Sequence, residues 1–351
     1  KNKECLSEKA KDWVDRMEKD TLQRAGNEEV RNKKSKKWID ATPDGQELKK
    51  KICEWASLRF QALYRTVHGF MQAPRALQVL ARIQDPNLSQ EAAEELVRSK
   101  FNYVVGYQSF SSSYKLYKSS KERAKRGENL TKAEIEAHDV VYNIKYLKKK
   151  FPDLKIAFPD SSNGKHYGRL VCGNSKIDKQ NCRDYCFELF GPFSDMGLGK
   201  PAHQNFLSHF VDGMVIQTID VNQDNVISQS FFVPNVVAEF DQSPVKIVGC
   251  PEFVITSGWS STAWCSAFVE RTFGTISHRS YSRMGIRLHY GHPDYIDAMW
   301  VMCETGLSKL PYVSEDIFTG FDTVLKGGRI IHIEYHEVGK ARDVDLYTTT
   351  K

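Results

Sequence analysis

The stretch Val215–Asn225, VIQTIDVNQDN, joins an apolar run to a cluster of carboxylates and amides. Its first half is β-branched and predicts a buried strand that ends near Ile219. In open α/β sheets ligands bind beyond the carboxyl ends of the strands, so Asp220, Asn222 and Asp224 are candidate contacts for a sugar, another hydroxyl-rich ligand or a hard cation. A turn without a ligand explains the same spacing, because Asp and Asn are common turn formers.

Composition narrows the class of protein. The chain has 351 residues, of which 40% are hydrophobic and 27% charged, as is typical of a globular protein. No run approaches the roughly 20 apolar residues that span a bilayer, and the first residues lack a signal-peptide core. The 8 cysteines are scattered, which predicts free buried thiols in a reducing compartment. The net charge of +6 favours anionic partners such as nucleotides, phosphates or an acidic membrane surface, and gives no indication of nucleic-acid binding.

The pattern along the chain predicts an α/β protein with a helical, charged N-terminal arm at residues 1–98 and one large α/β domain at residues 99–351. The arm's lysine cluster, residues 33–37, suits either an anionic membrane face or an ordinary solvated surface. Helical spacing from Glu47 to Leu80 is interrupted at Pro74, which predicts a kink or a break there. Ser89 and Thr131 are predicted to begin later helices, and the lysine-rich stretch Lys118–Arg126 is predicted to be an exposed loop.

Strands are predicted from β-branched and aromatic runs. They are Phe101–Phe110, Leu154–Phe158, His166–Cys172, Cys186–Phe190, Val245–Val248 continuing toward Ile255, and Arg329–Val338.

Three further segments carry charged or polar groups. Gly197–Asn205, GLGKPAHQN, is predicted to be a glycine-rich loop whose backbone and Lys200 approach a phosphate, although it lacks P-loop spacing. Ser314–Gly320, SEDIFTG, puts Glu315 and Asp316 at a predicted helix start, where the helix dipole alone favours acids. RLHYGHPD, residues 287–294, offers possible metal ligands, with structural hydrogen bonding as the favoured alternative.

Several long motifs in one order resemble the cytosolic catalytic region of the 1,3-β-glucan synthases, which include the callose synthases of plants and their fungal counterparts. The resemblance covers most of the chain. The motifs are ICEWASLRFQALYRTVHGFM (52–71), KFNYVVGYQSF (100–110), FPDLKIAF (151–158), GKPAHQN (199–205), IQTIDVNQDN (216–225), RLHYGHPD (287–294), SEDIFTGF (314–321) and GKARDVDL (339–346).

This resemblance implies a GT-A-type, Rossmann-like glycosyltransferase domain that transfers glucose from UDP-glucose to a growing 1,3-β-glucan chain, with inversion and processively. It also implies that the region belongs to an integral membrane protein and lies on the cytoplasmic face of the plasma membrane. The other partners it implies are the β-1,3-glucan acceptor, the full-length protein's own transmembrane segments, and a regulatory subunit such as a small GTPase. The isolated region is expected to bind the donor but to polymerise poorly.

The resemblance also assigns roles to residues. Asp316, with Glu315 beside it, is the expected base for the acceptor 3-hydroxyl. Asp220 is expected to bind the donor, through the sugar or through a metal, with Asp224 and Asn222 beside it. The remaining expected contacts are to the diphosphate, by Lys200, Lys340 and Arg342, and to hydroxyls or uracil, by Gln204 and Asn205.

The sequence departs from the family pattern at two places, and two alternatives to an enzyme stay open. His203 stands where the family usually has Asn, and Asp220–Asp224 replaces the short Asp-x-Asp of many metal-dependent enzymes. Either Mg²⁺ or basic side chains therefore neutralise the leaving UDP. The alternatives to an enzyme are a non-catalytic nucleotide-sugar-binding module and a membrane-docking domain that uses the lysine-rich arm.

Overall fold

The computed structural model describes residues 43, 45–46, 62–162, 164–171, 185–189, 199–255, 261–284, 294–300 and 315–341. The chain divides into two compact units, Lys1–Arg65 with Ser112–Lys150, and Thr66–Ser111 with Phe151–Lys351. The predicted boundary at residues 98/99 does not coincide with a boundary between these units. The predicted lysine cluster of the arm lies outside the described residues, as do most of RLHYGHPD and Arg342.

The described helices and strands follow in chain order. The helices are α1 Ala62–Phe70, α2 Ala73–Gln84, α3 Gln90–Lys100, α4 Phe110–Lys125, α5 Lys132–Lys150, α6 Gly199–Ser208, α7 Ile227–Ser230, α8 Val233–Ala238, α9 Ser261–Arg283, α10 Ala298–Trp300 and α11 Glu315–Leu325. The strands are β1 Val104–Gly106, β2 Lys155–Ser162, β3 Lys165–Val171, β4 Tyr185–Leu189, β5 Val215–Gln217, β6 Gln223–Asp224, β7 Val245–Gly249, β8 Glu252–Ile255, β9 Asp294–Asp297, β10 Arg329–His332 and β11 Val338–Ala341.

Three of the predicted helix boundaries are confirmed. The helical pattern breaks before Pro74, which lies in the first turn of α2. The Ser89 side chain caps α3 by accepting a hydrogen bond from the backbone N–H of Ala92. Thr131 and Glu134 form a capping box at the start of α5, in which each side chain accepts a hydrogen bond from the other's backbone N–H.

In the first unit, the prediction of an exposed loop at Lys118–Arg126 is wrong, because α4 continues to Lys125. Tyr117 and Ser120 are buried at helical spacing among the lysines, and Ser120 Oγ lies 2.9 Å from Nε2 of the buried His138 on α5. Two buried positions three residues apart are enough to fix a helix face, and the lysines occupy the other faces.

In the second unit, one sheet has the order β1-β2-β3-β4, with β1 and β2 parallel and the later pairs antiparallel. Helix α6 packs on this sheet through Phe206, and Phe210 follows in the turn after the helix; both cluster with Ala157 and Leu170. The prediction of a glycine-rich loop at Gly197–Asn205 is therefore wrong from Gly199 onward, where α6 begins. Apolar residues every four positions within and after the segment, at Ala202, Phe206 and Phe210, favour a helix over an open loop.

A second, mixed sheet has the order β10-β7-β9-β5. Strands β10 and β7 are parallel, and β9 is antiparallel to both β7 and β5. Strands β5, β7 and β10 therefore run in one direction. The prediction of a buried strand over Val215–Ile219 is confirmed as a strand but is wrong in its extent and burial, because β5 ends at Gln217, is half-buried and lies at the sheet edge.

A third, three-stranded sheet has the order β6-β11-β8. Strand β11 pairs in parallel with β8 and antiparallel with β6. The main apolar core of the second unit packs beside these strands. Its buried members are Phe70, Val236, Val245, Val248, Cys250, Tyr295, Ile333 and Val338.

None of the helices in the described part of the chain combines the length and the apolar character that crossing a membrane requires.

Candidate functional site at the carboxyl edge of the mixed sheet

The carboxyl ends of β5, β7 and β10 meet at one edge of the mixed sheet, and the antiparallel β9 begins there. Gly249, the last residue of β7, is in register with Asp294 on one side and with His332 on the other. Beyond the end of β5, the backbone N–H of Thr218 donates to the Asp294 carbonyl at 3.0 Å. This edge, called here the carboxyl edge, gathers four separate segments of the chain.

A buried carboxylate and a buried imidazole flank Gly249. Asp294 is only 1% exposed. A Cβ placed on Gly249 would lie 3.4 Å from Asp294 Oδ1 and 3.6 Å from His332 Nδ1, so both side chains lie on the same side of the glycine. Burial lowers the pKa of His332; Glu334 opposes this shift and Arg279 adds to it. The carboxyl edge therefore places an imidazole whose pKa is lowered by burial beside a buried carboxylate.

Helix α11 runs toward the opposite edge of the sheet. Trp300, which follows the end of β9, donates from Nε1 to Thr323 Oγ1 in the last part of α11 at 3.3 Å. Because β9 runs away from the carboxyl edge, this contact fixes the end of α11 at the amino edge. The helix packs against β10 and is about 16 Å long, against about 13 Å for β10. The start of α11 therefore lies at the end of the sheet where β10 ends.

That helix start carries Glu315 and Asp316. The predicted helix start is confirmed, because α11 begins at Glu315. The side chains of both residues lie outside the described part of the chain, so their proposed role as a base stays a prediction. The backbone shows that the start of α11 and the turn after β5 lie at the same end of the mixed sheet.

The segment after β5 forms a turn at Asp220–Gln223, as the turn interpretation predicted. The Gln223 backbone N–H donates to the Asp220 carbonyl at 2.9 Å. The Asp220 N–H in turn donates to the Gln223 side-chain Oε1 at 2.7 Å. Asp220 and Asn222 are half-buried on this turn. The turn is thus held by its own backbone and by one buried side chain, and a turn and a ligand site are compatible here.

Helix α1 supports this turn from one side. The Thr66 hydroxyl lies 2.6 Å from both the Val221 and the Gln223 carbonyl oxygens and donates to them. A Cβ on Gly69 would overlap the Asp224 carboxylate and lie 2.9 Å from the backbone nitrogen of Asn225. Asp224 Oδ1 accepts a hydrogen bond from that same Asn225 N–H at 2.8 Å. Only a glycine lets α1 approach the turn so closely.

A buried polar network supports the turn from the third sheet. The 1% exposed Gln223 donates from Nε2 to Glu252 Oε1 at 2.7 Å. Glu252 Oε2 accepts from Lys340 Nζ at 2.9 Å, and both of these side chains are less than a tenth exposed. This ion pair accounts for the burial of Lys340, whose predicted contact with a diphosphate stays a prediction. It also joins Lys340 to Asp220 through two intervening side chains.

The predicted uracil and hydroxyl contacts lie elsewhere in the second unit. Gln204 and Asn205 are half-buried on α6, and the side chain of Lys200 is outside the described part of the chain. The His203 imidazole packs so closely on Gly106, at the end of β1, that a Cβ there would overlap it. Burial lowers the pKa of His203, and a hydrogen bond with the Gly106 backbone opposes that shift.

Glu252, Thr66 and His332 were not singled out from the sequence. Glu252 and His332 are each an isolated polar residue in or beside an apolar segment, which is a local signal, whereas Thr66 follows Arg65 and gives no such signal. RLHYGHPD enters the described part of the chain only at Asp294. Within the described residues, no group of three or more His, Cys, Asp or Glu side chains is arranged to hold a metal ion.

Comparison with known proteins identifies the relatives. The family model described as 1,3-beta-glucan synthase component matches residues 4–351. The chain is 33% identical to 1,3-beta-glucan synthase component bgs2 of Schizosaccharomyces pombe, covering 83% of this chain and 16% of that protein. It is 34% identical to putative callose synthase 6 of Arabidopsis thaliana, covering 84% of this chain and 16% of that protein. The chain thus spans about a sixth of the length of these relatives.

Proposed function

Because the chain belongs to the 1,3-β-glucan synthase component family, we propose that it is the donor-binding and catalytic region of a 1,3-β-glucan synthase. In this proposal it transfers glucose from UDP-glucose to the 3-hydroxyl of a growing β-1,3-glucan chain, with inversion and processively. The fold is proposed to be of the GT-A type.

One observation carries the proposal. The carboxyl ends of three strands that run the same way, β5, β7 and β10, share an edge with the turn at Asp220 and with the start of α11. Two acidic segments almost a hundred residues apart in sequence thereby approach one end of one sheet. Ligand sites of α/β proteins form at such an edge, and inverting transfer needs one group for the donor and another for the acceptor.

In the proposed mechanism Asp316, with Glu315 beside it, takes the proton of the acceptor 3-hydroxyl as that oxygen attacks the anomeric carbon. The start of a helix stabilises negative charge there, which keeps a carboxylate ionised and ready to accept a proton. The bond between the anomeric carbon and the UDP oxygen breaks as the new glycosidic bond forms, so UDP leaves with both electrons of that bond.

The donor is proposed to bind at the turn that carries Asp220, Asn222 and Asp224. Mg²⁺ at nucleotide sites is commonly held by one or two carboxylates and substrate phosphates, so Asp220 is the residue that would hold it here. When bound, Mg²⁺ would neutralise charge on the diphosphate. Lys200, Lys340 and Arg342 are the proposed basic contacts that would do the same without a metal, and Gln204 and Asn205 the proposed hydroxyl or uracil contacts.

The wider setting is proposed from the family. The region would act at the cytoplasmic face of the plasma membrane, as part of an integral membrane protein whose own transmembrane segments export the glucan. A regulatory subunit such as a small GTPase would be a further partner.

The test is calorimetric titration of UDP-glucose into the purified chain, with and without Mg²⁺. Asp220→Asn is expected to weaken binding by roughly tenfold or more, because it removes a charged partner of the ligand. Asp297→Asn is the matched control, since it breaks an ion pair at the opposite edge of the same sheet. A Mg²⁺-dependent loss in Asp220→Asn would favour binding through the metal.

Two results would count against the proposal. UDP-glucose binding that is equal in the wild type and in Asp220→Asn would remove the donor from this turn. No nucleotide-sugar binding by a folded sample, with vesicle binding that falls steeply with salt, would favour the membrane-docking module. Donor binding without any transfer, even in the full-length protein, would favour the non-catalytic module.

A further inference from the structure

We propose that Glu252 is a positioning residue, which acts through Gln223 to fix the turn that carries Asp220 for donor binding. The proposal rests on the proposed function for its ligand. Its structural part, the control of the turn by a buried carboxylate on another sheet strand, is tested separately below.

The atoms form one continuous path. The Asp220 backbone N–H donates to Gln223 Oε1 at 2.7 Å, and Gln223 Nε2 donates to Glu252 Oε1 at 2.7 Å. Lys340 Nζ donates to the other oxygen of the same carboxylate at 2.9 Å. The path crosses strands β6, β8 and β11, so it links the turn to the middle of the third sheet.

The charge on Glu252 decides which way the Gln223 amide points. A carboxylate only accepts hydrogen bonds, so the amide must turn its NH₂ group toward Glu252. Its oxygen then necessarily faces the Asp220 N–H, which needs an acceptor. A neutral amide at position 252 offers both donors and an acceptor and removes this constraint. Gln223 would then be free to flip, and a flipped amide would set its NH₂ against the Asp220 N–H.

The ion pair with Lys340 compensates for the burial of the Glu252 carboxylate. A buried carboxylate without partners costs several kcal/mol and tends to take up a proton. Lys340 and Gln223 both donate to it, so the carboxylate remains an acceptor on both sides. Lys340 thus has a part in positioning Asp220 whether or not it reaches a diphosphate.

The experiment compares Glu252→Gln, which keeps the side-chain shape, with wild type and with Asp297→Asn. The Asp297 control removes the charge from another partly buried ion pair, that of Lys246 and Asp297 at 2.7 Å. Two quantities are measured on each folded protein: the Kd for UDP-glucose, and the hydrogen-exchange rate of the Asp220 backbone amide by NMR.

Glu252→Gln is expected to weaken UDP-glucose binding roughly three- to tenfold, and to speed exchange of the Asp220 amide by a similar factor, because one oriented hydrogen bond is lost. Asp297→Asn is expected to change neither quantity, even though it lowers the melting temperature. A merely structural role of Glu252 would instead lower the melting temperature alone, as in the control.

Gln223→Met provides a second variant that leaves Glu252 and Lys340 paired, in case Glu252→Gln does not fold. It should reproduce the loss of binding and of amide protection. The double variant should bind no more weakly than Gln223→Met alone, because Glu252 acts only through Gln223. Additive losses in the double variant would overturn the proposal and indicate direct contact of position 252 with the ligand.

The failure of this proposal and of the proposed function are distinguishable. If wild type binds UDP-glucose and Glu252→Gln binds it equally well, the positioning role is overturned and the donor site stands. If wild type does not bind UDP-glucose, the proposed function is overturned. The exchange rate of the Asp220 amide then still tests the positioning role of Glu252. Unchanged exchange in Glu252→Gln would overturn the positioning role, and faster exchange would support it for whichever ligand the turn holds.

Discussion

The two edges of the mixed sheet use polar residues in different ways. At the amino edge Lys246 of β7 pairs with Asp297 of β9 at 2.7 Å, and its ammonium lies 5.3 Å from the centre of the Trp300 ring. Trp300 also donates to Thr323 of α11. These side chains lie on elements that already pack together, and their contacts join those elements at the amino edge.

At the carboxyl edge the polar contacts hold a piece of backbone in place. Thr66, Gly69 and Gln223 all act on one short turn, and Glu252 reaches it from another sheet. The two edges therefore differ in what their polar contacts hold, which is a pair of side chains at the amino edge and a backbone turn at the carboxyl edge.

The largest expected effect is a loss of folding stability at acidic pH. His336 is 1% exposed, with Nδ1 donating to the Gln229 carbonyl and Nε2 accepting from Tyr295, which lies in β9 near the carboxyl edge. Burial lowers the pKa of His336 to about 4, from a usual 6.5. The unfolded chain therefore takes up the proton first as the pH falls below 6.5. Stability should be complete above that pH and fall by up to about 3 kcal/mol toward pH 4.

Urea unfolding at pH 7.5, 6 and 5 measures this fall. His336→Gln should flatten the pH dependence, because it keeps one donor and one acceptor and removes the titration. The slope should not vanish, since burial also lowers the pKa of His203 and of His332. His209→Gln, at an exposed position, is the control for the substitution itself. A slope that is equal in His336→Gln and wild type would contradict the assignment.

The next effect tests how tightly α1 holds the turn. Gly69→Ala should destabilise the protein by about 2 kcal/mol, because the new methyl group must displace the Asp224 carboxylate and crowd the Asn225 backbone. Gly213→Ala is the matched control, since its nearest neighbouring atom would be 3.8 Å away. The midpoints of urea unfolding of the two variants give the comparison. Equal midpoints would show that the turn can shift at little cost in free energy, and would contradict the inference that α1 holds the turn in place.

A smaller effect is expected at the amino edge. Asp297→Asn should cost about 1 kcal/mol, because the ion pair with Lys246 is partly exposed and screened. Its Kd for UDP-glucose should match that of wild type. Thermal unfolding and calorimetry on the same sample measure both quantities. A Kd that shifts together with the melting temperature would mean that the two edges are not independent. It would contradict the distinction drawn here between them.

The smallest effect concerns thiol reactivity. Cys250, just past the end of β7, is buried, and its burial together with the nearby Glu252 and Glu337 raises its pKa. Cys186 and Cys265 are exposed. Iodoacetamide at pH 8 should therefore label Cys250 at least about tenfold more slowly than the other two, as followed by peptide mass. Fast labelling of Cys250 in native protein would mean that the carboxyl edge opens readily.

The thiols also show what composition can and cannot predict. Buried thiols outside any disulfide were predicted, which is confirmed for Cys250 and wrong in burial for Cys186 and Cys265. Local patterns were sufficient where a single segment decides the outcome. The apolar runs of β2 and β7 and the caps at Ser89 and Thr131 belong to this group.

Predictions failed where a few buried positions override the local composition. Lysines around Tyr117 suggested a loop, and glycines around Gly199 suggested another, but in each case buried residues at helical spacing favour a helix. The acidic turn was found because its residues are adjacent. Its supports were not found, because Thr66, Glu252 and Lys340 meet it only through tertiary contacts, which leave no periodic trace in one sequence.

The large separation of these partners has a consequence for folding. The Thr66 hydroxyl and the Gln223 carbonyl are 157 positions apart, and the His336 ring and the Gln229 carbonyl 107. Contacts that close such long loops form slowly, since the entropy of the chain between them must be lost first. On the ribosome the turn at Asp220 is made long before Lys340 emerges, so its final shape must wait for the third sheet. The turn at Asp220 is therefore among the last parts of the second unit to reach its final shape, and a nascent chain that stops before β11 lacks the contacts that hold this turn.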